Sequence, residues 1–188
     1  MLQIKPNVVI CGLHEIDETL DEHVTHVLSI LDPGTPEPAK FAALPTDQLL
    51  RLRFHDVIED DQPQTEAPSP VHVQAILKFG AAAVRAHHRI LIHCHMGISR
   101  STAAAVMLLA EQGHAPEAAV ARVAELRPVA WPNLRMIELA DAHLGLEDRL
   151  VQAVRRHHAR ALRRKPELRD AFVLHGRARE IEGLEALA

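Results

Sequence analysis

The sequence predicts an α/β domain: a central, mostly parallel sheet flanked by helices. Three observations point there. Short apolar runs without clear polar alternation, "NVVIC" (7–11), "HVLSIL" (26–31) and "RILIH" (89–93), read as buried strands, the habit of parallel sheets. Longer segments of helical period stand between and after them, so strand and helix alternate along the chain. The 188 residues, 47% hydrophobic and with only two cysteines, suffice for one buried core and do not make a disulfide scaffold.

The elements follow in order. After the first two strands, "DPGTPEPAK" (32–40) is a Pro/Gly loop. "LLRLRF" (49–54) alternates apolar and basic residues, as a half-buried strand does. Residues 55–70, "HDVIEDDQPQTEAPSP", form an acidic, Pro-rich loop of the length that in a compact domain goes with function or disorder. A helix is predicted over 69–88, with Ser69 as N-cap and Pro70 at its first position. After the strand at 89–93, "RSTAAAVMLLAEQ" (100–112) is a helix apolar nearly all round, hence central, and Gly113 ends it. Two more helices, 115–126 and 133–144, are separated by "RPVAWP". With one Trp, four Phe and no Tyr, the core must be mostly Ala, Leu, Val and Ile.

From about residue 146 the character changes. "RLVQAVRRHHARALRRK" (149–165) carries seven Lys/Arg and no acid, and is expected to be a peripheral helix with a solvated basic face or a subunit contact. The chain thus divides into a domain over 1–146 and a basic helical C-terminal extension over 147–188.

Composition excludes several classes. A net charge of −4 argues against nucleic acid as the partner of the whole chain. No apolar run reaches about 18 residues, so no membrane span is expected. The N-terminus lacks the apolar core of a signal peptide, and two cysteines suit a reducing, cytoplasmic setting. Cys11 reads as a buried strand residue and Trp131 as a packing residue.

The chemistry gathers in "LIHCHMGISRST" (91–102). A strand that runs through a tight loop into a helix makes an anion site, because loop amides and the helix N-terminus bring partial positive charge to one place. Gly97 lets the backbone curl. Arg100 offers a planar fork matched to phosphate oxygens. Cys94 sits at the loop floor, where the same positive field stabilises a thiolate. The assembly reads as a nucleophile aimed at a bound oxyanion. A metal site around His93, Cys94 and His95 is disfavoured. On a strand His93 and His95 share one face and Cys94 takes the other, and no second ligand pair stands at zinc spacing, although His87 and His88 are near in sequence.

"HCHMGISRS" resembles the signature loop of the cysteine-dependent protein tyrosine phosphatases, especially the dual-specificity type. "THVLSI" (25–30) resembles that family's second core strand, and "LRPVAWPNLRMIELAD" (126–141) its Arg–Pro then Pro–Asn stretch. The resemblance covers about residues 8–145. It implies a phosphomonoester hydrolase without cofactor or metal, working through a phosphocysteine. Cys94 would attack phosphorus, and Arg100 and the loop of His95, Met96, Gly97, Ile98 and Ser99 would hold the phosphoryl oxygens. Ser101 would hydrogen-bond the sulfur, His93 would orient the loop and tune the thiolate, and Asn133 would brace the loop backbone.

The leaving oxygen needs a proton from an Asp on the facing loop. Parallel strands deliver their C-terminal ends to one edge, so the loop after residue 54 should meet the Cys loop. Asp56 comes first and matches the family's acid in position. Its spacing of 38 to Cys94 is longer than the family's usual one, so Asp60 and Asp61 compete. In the family this resembles, members restricted to phosphotyrosine typically clamp the ring with a Tyr, which this chain lacks, and phosphoinositide-directed members often carry Lys at the loop's variable positions, here His95, Met96, Ile98 and Ser99. That leaves a dual-specificity-like protein phosphatase first and a small-molecule, nucleotide or lipid phosphatase second. An inactive phosphate-reading relative and a sulfur- or arsenate-handling Cys enzyme are the remaining alternatives. The expected partners are a phosphorylated protein or small molecule, no membrane and no nucleic acid, with homo-oligomerisation through the C-terminal helix.

Overall fold

The computed structural model describes residues 7–60, 63–85 and 89–187. Four strands, β1 (Asn7–Gly12), β2 (His26–Leu31), β3 (Leu49–Arg53) and β4 (Arg89–Cys94), form one sheet in the order β1-β4-β2-β3, every pair parallel. These are the strands expected from the apolar runs. Register sets Gly12 beside Cys94 and Leu31 beside Arg53, so all four C-terminal ends leave the sheet at one edge. Everything that follows a strand there is brought together.

Alternate side chains along the strands enter two different cores. Val8, Ile10, Leu28, Ile30, Ile90 and Ile92 pack under a helical layer of α2 (Pro70–Arg85), α3 (Arg100–Glu111), α4 (Pro116–Leu126) and α5 (Leu134–Leu144). Cys11, Val27, Leu49 and Leu91 face the other way, under the short helix α1 (Ile16–Thr19) and a turn carrying Phe41. α3 is buried from Arg100 through Ala110, as its uniformly apolar sequence demands. Its alanines, Ala103, Ala104 and Ala105, leave room for α2, α4 and α5 to close around it. Pro116 opens α4 and the Asn133 side chain caps α5 by accepting the Met136 N–H at 3.0 Å.

The basic C-terminal segment is not peripheral, contrary to the expectation from its charge. α6 (Arg149–Arg164) is amphipathic. Leu150, Ala153 and Val154 join the main core, while Ala159 and Leu162 pack with Trp131, Ile181 and Leu184. The charge count hid an apolar stripe of helical spacing. The buried Asp141 carboxylate fixes the start of α6, accepting the N–H groups of Asp148 at 2.8 Å and Leu150 at 2.7 Å. A last helix, α7 (Leu168–Leu174), brings Phe172 onto Trp131 at a ring separation of 4.2 Å, opposite His158 at 4.0 Å. Trp131 is thus a packing residue, the seam between the domain and its extension. Among the described residues no helix is long and apolar enough to cross a membrane.

Candidate active site

Between the end of β4 at Cys94 and the start of α3 at Arg100 the chain makes a closed curl. Its carbonyls all point outward to fixed donors. His95 O accepts from Leu13 N–H at 2.8 Å and Met96 O from Arg127 Nη2 at 3.2 Å. Gly97 O accepts from Arg127 Nε at 3.1 Å, Ile98 O from Trp131 N–H at 2.9 Å, and Ser99 O from Ala103 N–H at 2.9 Å. A trans peptide sets its N–H opposite to its C=O. The N–H groups of residues 96–100 therefore face the inside of the curl, where the α3 N-terminus adds its own positive end. Gly97 is required twice over. Its φ is +68°, and a Cβ there would stand 2.6 Å from the Cys11 carbonyl carbon and the Gly12 nitrogen. Glu15 holds Arg127 in place through two bonds of 2.9 and 2.8 Å. Those bonds, and then the Gly12 N–H, hold the Glu15 carboxyl below the usual glutamate range.

At the floor, Cys94 Sγ stands 3.3 Å from Ser101 Oγ. His93 is fully buried, with Nδ1 3.4 Å from the Cys94 carbonyl oxygen and its ring against Phe41. Burial lowers its pKa to about 4, so at neutral pH the imidazole carries no charge. Any influence of His93 on the thiol runs through the Cys94 carbonyl rather than through a positive charge. Cys11 lies on the other face of the sheet, and burial, with Glu15 adding to it, pushes its thiol up to about 12. Cys94, at the end of β4, opens the curl instead.

Arg100 is buried and reaches across the strand ends. Nη1 donates to Asp32 Oδ1 at 2.6 Å and to Phe54 O at 2.5 Å, and Nη2 stands 3.0 Å from His95 Nδ1. Its Nε is buried without a partner among the described residues. An orphaned charged donor in such a place calls for an anion. His95 turns toward Thr35 and Asp32 at the loop edge.

Asp56 meets the loop directly. Its Oδ1 accepts from Ser99 Oγ at 2.7 Å and Asn133 Nδ2 at 2.8 Å, and lies 3.4 Å from Arg177 Nη1. Asp60 instead pairs with Arg135 on the exposed lip at 3.2 Å, and Asp61 lies outside the described residues, as do His87 and His88. Asn133 braces the acid loop through Val57 O at 3.1 Å and the Cys loop through its own N–H to Ser99 O at 3.4 Å.

Three groups here were not legible as site residues in the sequence. Asp32 follows β2 and Glu15 follows β1, so the common sheet edge was their signal, whereas Arg127 caps the C-terminal end of α4. Arg177 had none. It comes from the extension, donates to Ser99 Oγ at 3.0 Å, and is anchored by the fully buried Glu180 at 2.8 and 2.9 Å. Burial works against its charge, but the carboxylates of Asp56 and Glu180 more than compensate and hold its pKa above the ordinary arginine value. Glu180 also accepts Trp131 Nε1–H and Leu134 N–H, both at 2.9 Å. Beside Asp56 a cleft of about 750 Å³ opens between the Cys loop and the extension. Among the described residues no group of three or more His, Cys, Asp and Glu could hold a metal ion.

No family model matches the chain. It is similar to human Dual specificity protein phosphatase 12, 28% identical over 134 residues, covering 71% of this chain and 38% of that protein. It is also similar to human Protein phosphatase Slingshot homolog 3, 30% identical over 136 residues, covering 70% of this chain and 18% of that protein. The chain thus spans well under half the length of these curated relatives. Among solved structures, human DUSP28 shares the fold with a TM-score of 0.56 and 21% identity, over 79% of this chain and 98% of that one. Cydia pomonella PTP-2 phosphatase does so with a TM-score of 0.57 and 20% identity, over 74% and 87%.

Proposed function

Because the chain belongs to the cysteine-dependent protein tyrosine phosphatase superfamily, near its dual-specificity members, we propose that it hydrolyses phosphomonoesters through a phosphocysteine on Cys94. The observation that carries this reading is the curl over Cys94, with its inward amides of residues 96–100 and the unpartnered Nε of Arg100. A dianionic phosphoryl group satisfies both, and its phosphorus then faces the sulfur.

In the first step the Cys94 thiolate attacks phosphorus and the P–O bond to the leaving group breaks. Asp56 gives that oxygen its proton. The donors on Asp56 converge on Oδ1, which leaves Oδ2 to carry the proton toward the cleft. In the second step water attacks the phosphocysteine, inorganic phosphate leaves, and Ser101 Oγ at 3.3 Å stabilises the departing sulfur. His95, Met96, Ile98 and Ser99 vary the rim of the loop. They include no lysine, and the chain has no tyrosine to clamp a ring, which supports a dual-specificity-like preference.

The test is turnover of p-nitrophenyl phosphate, with thiosulfate and arsenate as alternatives, by the wild-type chain and by Cys94→Ser and Asp56→Asn. Cys94→Ser should lose turnover but keep phosphate binding, and acid quench of the wild type should trap a phosphoryl group on Cys94. Asp56→Asn should slow esters of poor leaving groups strongly and p-nitrophenyl phosphate little, and should remove the basic limb of the pH–rate profile. Wild-type kcat in Cys94→Ser would refute the mechanism.

A further inference from the structure

The cleft beside Asp56 has a chemistry of its own. Met96, Ile98, Val129, Phe172 and the edge of the buried Trp131 make its lining apolar. Its charged lining is Arg164, Lys165 and Arg177 against the one carboxylate of Asp56, in a chain whose net charge is −4. Arg177 is held by Glu180 and Asp56, but Arg164 and Lys165 form no ion pair with any described residue. They stand exposed at the C-terminal end of α6, whereas Arg177 is nearly buried against the Cys loop. The cleft thus runs from Asp56 and the rim of the Cys loop, over an apolar middle, to two exposed cations.

A phosphoryl group seated over Cys94 must present its ester oxygen to Asp56, since Asp56 protonates it. Asp56 lines this cleft, so the leaving group extends into it. We infer that the cleft is a leaving-group subsite, and that the preferred substrates are phosphomonoesters with an apolar body ending in a second negative charge held by Arg164 and Lys165. This rests on the phosphatase reading above. The wall that makes the choice comes from residues 161–177, beyond the region that resembles the family, so the selectivity belongs to this chain's own extension.

Two sources share that chemistry: a small aryl phosphate with a distal acid, and a phosphotyrosyl peptide with an acidic residue following. The experiment has an arm for each. One compares biphenylyl phosphate bearing a distal carboxylate with its isosteric carboxamide. The other compares a phosphotyrosyl peptide carrying Glu with one carrying Gln. Two exposed cations should favour the acid by about fivefold or more in kcat/KM, less at high salt, and the arm with the larger ratio names the source. In the full-length Arg164→Gln/Lys165→Gln variant the ratio should fall to about one; both positions are exposed, so the fold is retained. A ratio near one in both wild-type arms overturns the inference, as does a ratio that survives the double substitution. Failure to turn over even p-nitrophenyl phosphate overturns the phosphatase reading instead.

Discussion

Replacing Arg177 by Met would remove the cation that joins the C-terminal extension to the site. Glu180 is fully buried, and it would keep Trp131 Nε1–H and Leu134 N–H but lose both bonds to the guanidinium. Stranding one partner of a buried pair costs about 3–5 kcal/mol. At about 2–4 °C per kcal/mol for a chain of this size, Tm should fall by about 10 °C. Asp56 would lose one of the donors that fix its rotamer, and Ser99 Oγ would lose its tie to the extension. A misaligned acid is felt where the leaving group most needs a proton. Phenyl phosphate turnover should fall at least about tenfold, and p-nitrophenyl phosphate turnover by less than about threefold. Adding Glu180→Gln removes the stranded charge but also one acceptor, since its NH2 cannot take the N–H of Trp131 or Leu134. The double variant should therefore lose less than the sum of the two single losses, a non-additivity measurable by thermal melts. The reasoning fails if Arg177→Met melts within about 2 °C of wild type, or if it slows both esters equally.

Four further outcomes are expected. Arg100→Lys should lower kcat/KM at least about tenfold, about 1.4 kcal/mol, because an ammonium cannot bridge Asp32 and Phe54 while offering a second donor to phosphate; an unchanged value would make Arg100 a structural cation only. Gly97→Ala should abolish vanadate inhibition while leaving far-UV circular dichroism intact, since its Cβ would strike the β1 backbone. Glu15 has its folded pKa below the unfolded one, so its clamp on Arg127 stabilises above the usual value of 4.5 and is lost as pH falls through the lower folded value; urea midpoints of Glu15→Gln should show a shallower loss over that acid window than wild type. Truncation after Gly145 should leave a molten product by near-UV circular dichroism, because Leu150, Val154 and Leu162 alone bury on the order of 5–8 kcal/mol of apolar side chain, comparable to the whole stability of a domain.

Local sequence by itself determined the strands, the central helix and the tight loop between Cys94 and Arg100. Runs such as "RILIH" suit burial on both faces of a parallel sheet, and a Gly and an Arg between such a strand and an apolar helix suit a tight loop that gathers donors. Where the carboxylates of the acidic loop land needed the sheet order. Asp56 came first in sequence by its place after the third strand, and it is β3's exit beside β2 that sets it against Ser99 and Asn133, while Asp60 pairs with Arg135. The extension was misjudged for a related reason. Seven cations in "RLVQAVRRHHARALRRK" outweigh its apolar stripe in any composition count, yet burial depends on which side of the helix each residue occupies. Arg177 was wholly the work of tertiary structure. Nothing near it in sequence marks it, and it reaches Asp56 only because Glu180, Trp131 and Phe172 lock the chain's end against the Cys loop. A contact between residues so far apart in sequence is encoded by the packing of both segments, not by the pattern of either.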